Sequence, residues 1–205
     1  MTLRVPDGVT LYFCRHGETE ANAAGRFQGR TLDTPLTPKG LAQARALADL
    51  LQSEADDVTA LVFVSSPLPR AIATMDIVLG ELKLPEDYLI DPRLAEIDLG
   101  AWDGLTKREA RARDPKAFDA READKWNLPV PGGGETYADV AARASAFVRE
   151  LERDCFAVSH GAFIRILRGL FEDLGANEMS ALDEKQGVLF RARGGRVARF
   201  EADGI

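Results

Sequence analysis

The sequence predicts an α/β fold: a three-layer sandwich, with a mostly parallel central sheet, helices on both faces and an inserted helical cover over the carboxyl edge. Three observations predict it. Apolar runs of strand length alternate with amphipathic helical stretches, which is how a parallel sheet with crossover helices reads. Three of the strand-to-helix junctions carry histidine, arginine or serine, and ligands bind at the carboxyl ends of strands in open α/β sheets. A long charged stretch, 96–134, interrupts the alternation and reads as the cover.

Residues 9–14 form the first apolar strand. Thr37-Pro38 opens a helix with a capping threonine and a proline in its first turn, and Leu41, Ala44, Leu47, Ala48 and Leu51 make its apolar face. Residues 59–64 follow as a second strand. Ser66-Pro67 repeats the cap-plus-proline signal and predicts a helix carrying Arg70, Ile72, Met75 and Val78 or Leu79. Residues 88–104 are irregular, with Gly100 and Gly104 suggesting turns. Residues 106–126 predict one or two short exposed helices broken at Asp114-Pro115, and 129–134 is a loop by composition. Thr136 caps a long helix with Asp139 in its first turn and Val140, Ala144, Phe147, Val148 and Leu151 inward. Residues 154–159 are the third strand and 162–174 a helix. Residues 187–193 and 196–200, around Gly194-Gly195, form a hairpin at the sheet edge. With no internal repeat, a single domain over residues 1–205 is expected.

Composition narrows the function. The chain has 26 basic and 33 acidic residues, a net charge of −7, which offers no general attraction to nucleic acid or to an anionic membrane. Any anion site must be a local cluster of arginine. Cys14 and Cys155 lie in apolar strands and read as buried thiols of a reducing compartment; Cys14 reads as a small hydrophobe and not as a redox group. No Cys/His cluster has metal-ligand spacing, so neither metal nor cofactor is expected. Residues 1–8 lack the apolar core of a signal peptide and no apolar run approaches membrane-spanning length. The expectation is a soluble cytoplasmic enzyme.

The chain keeps two histidines, each at a strand end and each followed by glycine. Imidazole suits nucleophilic and proton-transfer work near neutral pH. In a parallel sheet, Arg15-His16-Gly17, Ser65-Ser66-Pro67-Leu68-Pro69-Arg70 and Ser159-His160-Gly161 share one edge. Two imidazoles and two guanidinium groups can therefore converge, and the forked donors of arginine match phosphate oxygens. The glycines are expected to let the backbone approach a ligand and begin helices whose N–H groups favour anions. Phosphoryl chemistry is the reading.

Arg15-His16-Gly17-Glu18-Thr19-Glu20-Ala21-Asn22 resembles the signature of the histidine phosphatase superfamily, in the branch containing phosphoglycerate mutase-like proteins. The likeness continues through Gln28-Gly29, Asp33-Thr34-Pro35-Leu36-Thr37-Pro38-Lys39-Gly40 and Ser65-Ser66-Pro67-Leu68-Pro69-Arg70-Ala71. It then runs through Leu94-Ala95-Glu96 up to Trp102-Asp103-Gly104, Gly133-Gly134-Glu135-Thr136 and Ser159-His160-Gly161. These blocks keep the family's order and span most of the chain.

The resemblance implies a phosphatase-type member acting on a small phosphorylated metabolite. His16 would attack phosphorus to give a phosphohistidine that water hydrolyses, splitting one hard displacement into two. Its other ring nitrogen needs an acceptor, expected to be a backbone carbonyl. Arg15, Arg70 and His160 would surround the phosphoryl oxygens, where positioning and charge do most of the catalysis. Glu96 stands at the general-acid position, with Asp98 as its competitor if the segment is extended. Asn22, Gln28, Gly29 and Gly161 complete the expected substrate-binding set. The resemblance also allows a homodimer, which the residues leave open.

Phosphatases and mutases of this kind share the pocket. The mutases resembled here follow the acid with an Arg-His-Tyr run and have a longer cover, whereas this chain has Ile97-Asp98-Leu99-Gly100. A smaller cover admits water to the phosphohistidine, which favours hydrolysis. Mutase-type transfer is the alternative, and a non-catalytic phospho-ligand binder is the alternative of another class. The cover, 99–134, should select the substrate, with one or two basic groups of 107–113 reaching a second anionic group; Trp102 reads as its packing anchor.

Overall fold

The computed structural model describes residues 2–202. Its elements in chain order are β1 (Leu11–Arg15), α1 (Glu20–Ala23), α2 (Pro38–Glu54), β2 (Val62–Ser65), α3 (Pro69–Leu82), β3 (Leu89–Ile90), α4 (Lys107–Arg113), α5 (Pro115–Ala123), α6 (Tyr137–Arg149), β4 (Cys155–Ser159), α7 (Gly161–Glu172), α8 (Ala176–Ala181), β5 (Val188–Arg193) and β6 (Arg196–Glu201). They build one six-stranded sheet in the order β3-β2-β4-β1-β5-β6. The first four strands of that order run parallel; the β5–β6 hairpin adds antiparallel to β1 at the far side.

Strand periodicity divides the core in two. Leu11 and Phe13 of β1 and Cys155 and Ala157 of β4 pack under α6 and α7 with Phe147, Phe163 and Phe190. Tyr12, Cys14, Phe156 and Val158 face the other way, against Leu47 and Leu51 of α2 and Met75 and Leu79 of α3. Alternation at a period of two sends successive residues to opposite layers, so the sandwich has three layers. Cys14 and Cys155 are free and fully buried, one on each side of the sheet. Among the described residues no helix is long and apolar enough to cross a membrane.

Several boundaries differ from the sequence reading. The second strand begins at Val62 because Val58–Ala60 form a 3-10 turn, capped where Asp57 accepts from the Thr59 N–H at 2.9 Å. The helix expected to start at Ser66-Pro67 starts at Pro69, with no side-chain cap. A residue before proline is disfavoured in the helical region, and Leu68, ahead of Pro69, is extended at φ −80°, ψ 134°. A helix therefore cannot begin at Pro67, and Ser66 is left free for another task. Helix α8 had no sequence signal, since Met179 is its only buried residue. The two expected cover helices are α4 and α5, and Thr136 caps α6 together with Asp139 as expected.

Gly17 does not begin a helix. The loop after β1 crosses the first turn of α2, where Thr37 N–H donates to the Glu18 carbonyl at 2.8 Å. A Cβ on Gly17 would collide with the Gly40 carbonyl, and one on Gly40 with the Glu18 carbonyl. Both glycines thus serve a close backbone crossing that fixes the loop behind His16. Gly40→Ala should lower the thermal unfolding midpoint by roughly 2–12 °C, the cost of overpacking against backbone. Circular dichroism melts check this, with Gly80→Ala as the control: its Cβ meets nothing within 4 Å, so that variant should melt no lower than the parent.

Candidate active site

The parallel strands β1, β4 and β2 are neighbours, and their carboxyl ends deliver the three junctions side by side. Arg15 pairs with Ser159 and Ser65 with Val158 in the sheet registers. The His16 N–H continues the ladder to the Ser159 carbonyl at 2.9 Å, and the Ser66 N–H reaches the Val158 carbonyl at 3.0 Å. The two imidazoles meet with ring centroids 5.1 Å apart. The sheet register alone therefore brings both histidines to one spot.

His16 is 2% exposed. Its Nδ1 lies 2.7 Å from the carbonyl oxygen of Gly17, and its Nε2 lies 3.2 Å from Nε of Arg70. A carbonyl can only accept, so Nδ1 carries the proton and the lone pair is on Nε2. Burial, then Arg15 and Arg70, hold the His16 imidazolium well below the usual 6.5. His160 is equally buried, and burial, then Arg70, His16 and Arg15, depress it in the same direction. Both rings are therefore neutral at neutral pH.

Arg70 is buried on the first turn of α3, where a cation opposes the helix dipole. Its guanidinium donates to the Gly29 carbonyl at 2.8 Å and, more weakly, to the Gln28 carbonyl at 3.4 Å, and pairs with Asp33 at 3.3 Å. Arg15 donates to the Glu184 carbonyl at 2.7 Å, and its Nε has no partner among the described residues. His160 Nε2 is 2.6 Å from the Ser66 hydroxyl, whereas His160 Nδ1 is buried without a partner. The floor of the site thus holds one guanidinium donor and one imidazole nitrogen without a partner among the described residues.

Glu96 is 7% exposed and reaches the same floor. Its carboxylate accepts from the N–H groups of Ile97 at 2.9 Å, Ala162 at 3.2 Å and Phe163 at 3.4 Å, the last two at the start of α7. The backbone around it is tied down on both sides. Ser159 Oγ donates to the Leu94 carbonyl at 2.7 Å, Arg143 to the Ala95 carbonyl at 2.6 Å and Arg30 to the Glu96 carbonyl at 2.9 Å. Glu135 holds both arginines and accepts from the Asp98 N–H at 2.9 Å.

Asp98 itself turns away: its side chain accepts from the Gly100 N–H at 2.8 Å, and it does not line the cavity. Asn22 does line it. The Asn22 carbonyl oxygen is committed to Gln186 at 2.9 Å and to the Thr19 N–H, so its amide NH2 is the free end. The polar groups of Gln28 and Gly29 are otherwise employed. Gln28 spans Thr19 and Thr34, while Gly29 donates to Asp103 and accepts from Arg70. Their hydrogen bonds shape the loop and hold Arg70; Gln28 lines the cavity, whereas Gly29 is not among its lining residues. A Cβ on Gly161 would meet the end of the Glu184 side chain, which would have to shift away from its place beside Arg15.

Sequence reasoning missed Ser66, read as a helix cap, and the segment before β5. In that segment Glu184 lies 3.6 Å from Arg15 and ion-pairs with Arg165, and Gln186 orients Asn22. The cavity above the floor has a volume of about 180 Å³. Its outer wall is not built from 107–113: Lys107 pairs with Glu122 at 2.9 Å, Arg111 with Asp119 at 3.1 Å, and Arg113 donates to the Ala101 carbonyl. Arg121, Lys125 and Arg165 line the wall instead. Trp102 packs with Phe118, Phe27 and Val130 as the anchor of the cover.

A family model described as the histidine phosphatase superfamily (branch 1) matches residues 11–192. The chain is 38% identical to a glucosyl-3-phosphoglycerate phosphatase of Mycolicibacterium vanbaalenii over 170 residues, covering 77% of this chain and 71% of that protein. It is 35% identical to a 6-phosphofructo-2-kinase/fructose-2,6-bisphosphatase of Caenorhabditis elegans over 178 residues, covering 85% of this chain and 36% of the relative. The chain thus spans only about a third of that relative's length. Among solved structures, the alpha-ribazole phosphatase of Shigella flexneri superposes with a TM-score of 0.78 at 27% identity, covering 96% of each chain.

The depressed histidines make stability depend on pH. Below about 6.5 the unfolded chain binds protons at both imidazoles while the folded chain does not, so stability rises with pH up to about 6.5 and then levels from this source. The slope should reach about 1.4 kcal/mol per pH unit for each histidine. Denaturant unfolding at a series of pH values measures it. In an NMR titration, neither ring should show a midpoint near 6.5.

Proposed function

Because the chain belongs to the histidine phosphatase superfamily, we propose that it hydrolyses small-molecule phosphate monoesters through a phosphohistidine on His16. The observation that carries this reading is the state of that ring: Nδ1–H held on the Gly17 carbonyl at 2.7 Å, with the Nε2 lone pair on the cationic floor. The fructose-2,6-bisphosphatase, glucosyl-3-phosphoglycerate phosphatase and alpha-ribazole phosphatase relatives support small phosphorylated metabolites as the substrate class.

In the first step Nε2 attacks phosphorus in line with the ester oxygen. The Arg70 Nε–H that now faces Nε2 turns to a phosphoryl oxygen as the ester enters. The N–P bond forms as the P–O bond breaks, and Glu96 gives its proton to the departing alkoxide. In the second step the Glu96 carboxylate takes a proton from water, which attacks the phosphohistidine and releases inorganic phosphate. Arg15, Arg70 and the Nδ1–H of His160 stabilise the equatorial oxygens. His160 donates there in the tautomer in which Nε2 accepts the Ser66 hydroxyl hydrogen bond and Nδ1 carries the ring proton. Asn22 adds a neutral donor, and Gly161 leaves room for Glu184 beside Arg15. Charge compensation comes from the two guanidinium groups, so the reaction calls for no metal. The buried thiols suit a reducing, cytoplasmic setting.

Wild-type protein should turn over p-nitrophenyl phosphate in EDTA and yield an acid-labile phosphohistidine on rapid quench. His16→Ala should abolish both, Arg15→Ala should lower kcat about 10²–10³-fold, and Glu96→Gln should lower it about 10²–10⁴-fold for a poor leaving group. Loss of turnover in EDTA would replace this mechanism by a metal-dependent one. With 3-phosphoglycerate followed by ³¹P NMR, inorganic phosphate should accumulate; 2-phosphoglycerate without matching phosphate would make the protein a mutase.

A further inference from the structure

The carbonyl that fixes the predicted nucleophile belongs to a residue with little stiffness of its own. His16 Nδ1–H donates at 2.7 Å to the carbonyl of its neighbour Gly17, and glycine has the widest backbone freedom of any residue. That freedom comes with the position: a Cβ on Gly17 would collide with the Gly40 carbonyl, so no stiffer residue fits there. Something else must hold the backbone. Two buried side chains do, one from each helix on that face of the sheet. Gln43 of α2, 4% exposed, accepts the Glu18 N–H on Oε1 at 2.8 Å. That N–H and the Gly17 carbonyl are the two ends of one peptide unit. Thr74 of α3, fully buried, accepts the Gly17 N–H on Oγ1 at 3.1 Å and donates its own proton to the Arg70 carbonyl at 2.8 Å.

Neither side chain lines the cavity, so neither meets a ligand there. Apolar packing does not call for them either. The other buried residues of α2 are glycine, alanine and leucine, and a buried amide is costly without a hydrogen bond. Thr74 holds the peptide before Gly17 and Gln43 the peptide after it, so the two together oppose rotation about both of its soft dihedrals. Gln43 also accepts from the same unit whose carbonyl receives His16, which polarises that carbonyl and strengthens it as an acceptor. The ring has one other restraint, the Arg70 Nε–H 3.2 Å from Nε2, and an entering phosphoryl group takes that donor away. During attack, the Gly17 carbonyl is what keeps the proton on Nδ1 and the lone pair on Nε2.

We propose that Gln43 and Thr74 are positioning residues of the nucleophile: by holding the two peptides of Gly17 they keep its carbonyl on Nδ1, and so keep Nε2 bare and aimed while the ester is attacked. The role in attack rests on the hydrolase reading above; the hold on the ring does not. Removing a pin lowers turnover rather than binding, because Arg15, Arg70 and His160 stay in place around the phosphoryl oxygens. A displacement of the attacking atom by about 1 Å lowers a rate on the order of a hundredfold.

The test uses Gln43→Met and Thr74→Val, which nearly keep the volume and remove the acceptor, with Thr74→Ser as the rescue and Ala44→Gly as the control. Ala44 adjoins Gln43 and is fully buried, so its truncation loosens α2 while leaving both pins in place. The first readout is the Nδ1–H resonance of His16 in protein labelled with ¹⁵N-histidine, assigned against His16→Ala; two histidines keep the spectrum simple. In the wild type it should lie far downfield and exchange slowly with water. In Gln43→Met and Thr74→Val it should move upfield and exchange faster, whereas Thr74→Ser and Ala44→Gly should keep it. The second readout is turnover of p-nitrophenyl phosphate. Both acceptor-less variants should lose about ten- to a hundredfold in kcat with KM within about twofold of the wild type, and Thr74→Ser should regain most of the loss. A resonance unmoved in either folded variant, or moved as far by Ala44→Gly, would overturn the hold on the ring; a moved resonance with unchanged kcat would overturn the role in attack. If one variant fails to fold, the other decides. If the wild type turns over no phosphate ester, the hydrolase reading falls alone and the resonance still decides whether Gln43 and Thr74 hold the ring.

Discussion

The structure depends on burying positive charge that its carboxylates meet only at long range, Asp33 3.3 Å from Arg70 and Glu184 3.6 Å from Arg15. Arg70 is fully enclosed at a helix N-terminus where the dipole repels it, Arg15 lies beside it, and two neutral imidazoles complete the floor. Burial first, and then the neighbouring cations, disfavour a further positive charge, which is why both histidines are held neutral. Carbonyl oxygens do much of the holding: those of Gln28, Gly29 and Glu184 accept from the guanidinium groups without neutralising them. A full set of carboxylates would stabilise the empty site and leave nothing for a phosphate to replace. The sparing use of acid here, in a chain with a net charge of −7, keeps the local field positive where it matters.

The rest of the chain braces that floor. Glu135, from the glycine-rich block before α6, gathers Arg30 and Arg143 and the Asp98 N–H, so that the segment bearing Glu96 is strapped to the same helix layer that packs on the sheet. Asp103 does the equivalent on the other side, accepting from the N–H groups of Gly29, Thr31 and Leu32. The loop that steadies Arg70 is thus pinned to the base of the cover. Placing the cover and placing the cation are one operation, carried by two carboxylates far from each other in sequence.

What the sequence made legible follows from how local each feature is. His16, Arg15, Arg70 and His160 were readable because each sits within a residue or a helical turn of a strand end, and the parallel sheet does the rest. Ser66 was visible but misread, because Pro67 and Pro69 offer competing helix starts and only the backbone constraint on Leu68 decides between them. Arg121 looked like one charge among many on a solvated helix. Its burial comes from Tyr137 and the cavity wall, both supplied by tertiary packing. Glu184 and Gln186 carried no signal at all, since the return of that segment across the site depends on α8 and the hairpin. The cover was predicted as a unit, while the basic groups from it that line the cavity, Arg121 and Lys125, come from α5 and the turn after it and not from 107–113.

The two cysteines give the fold a built-in clock. Cys14 adjoins Arg15 and Cys155 sits beside Leu11 in the sheet, yet both are sealed, and burial pushes the Cys155 thiol up to about 12 and Cys14 further in the same direction. A thiol in that state does not react in place. Modification therefore waits for the central strands to part, and its rate counts those openings. Loss of folded protein on treatment with a thiol reagent would report how often the sheet breathes, although Cys14 directly precedes Arg15 of the candidate site.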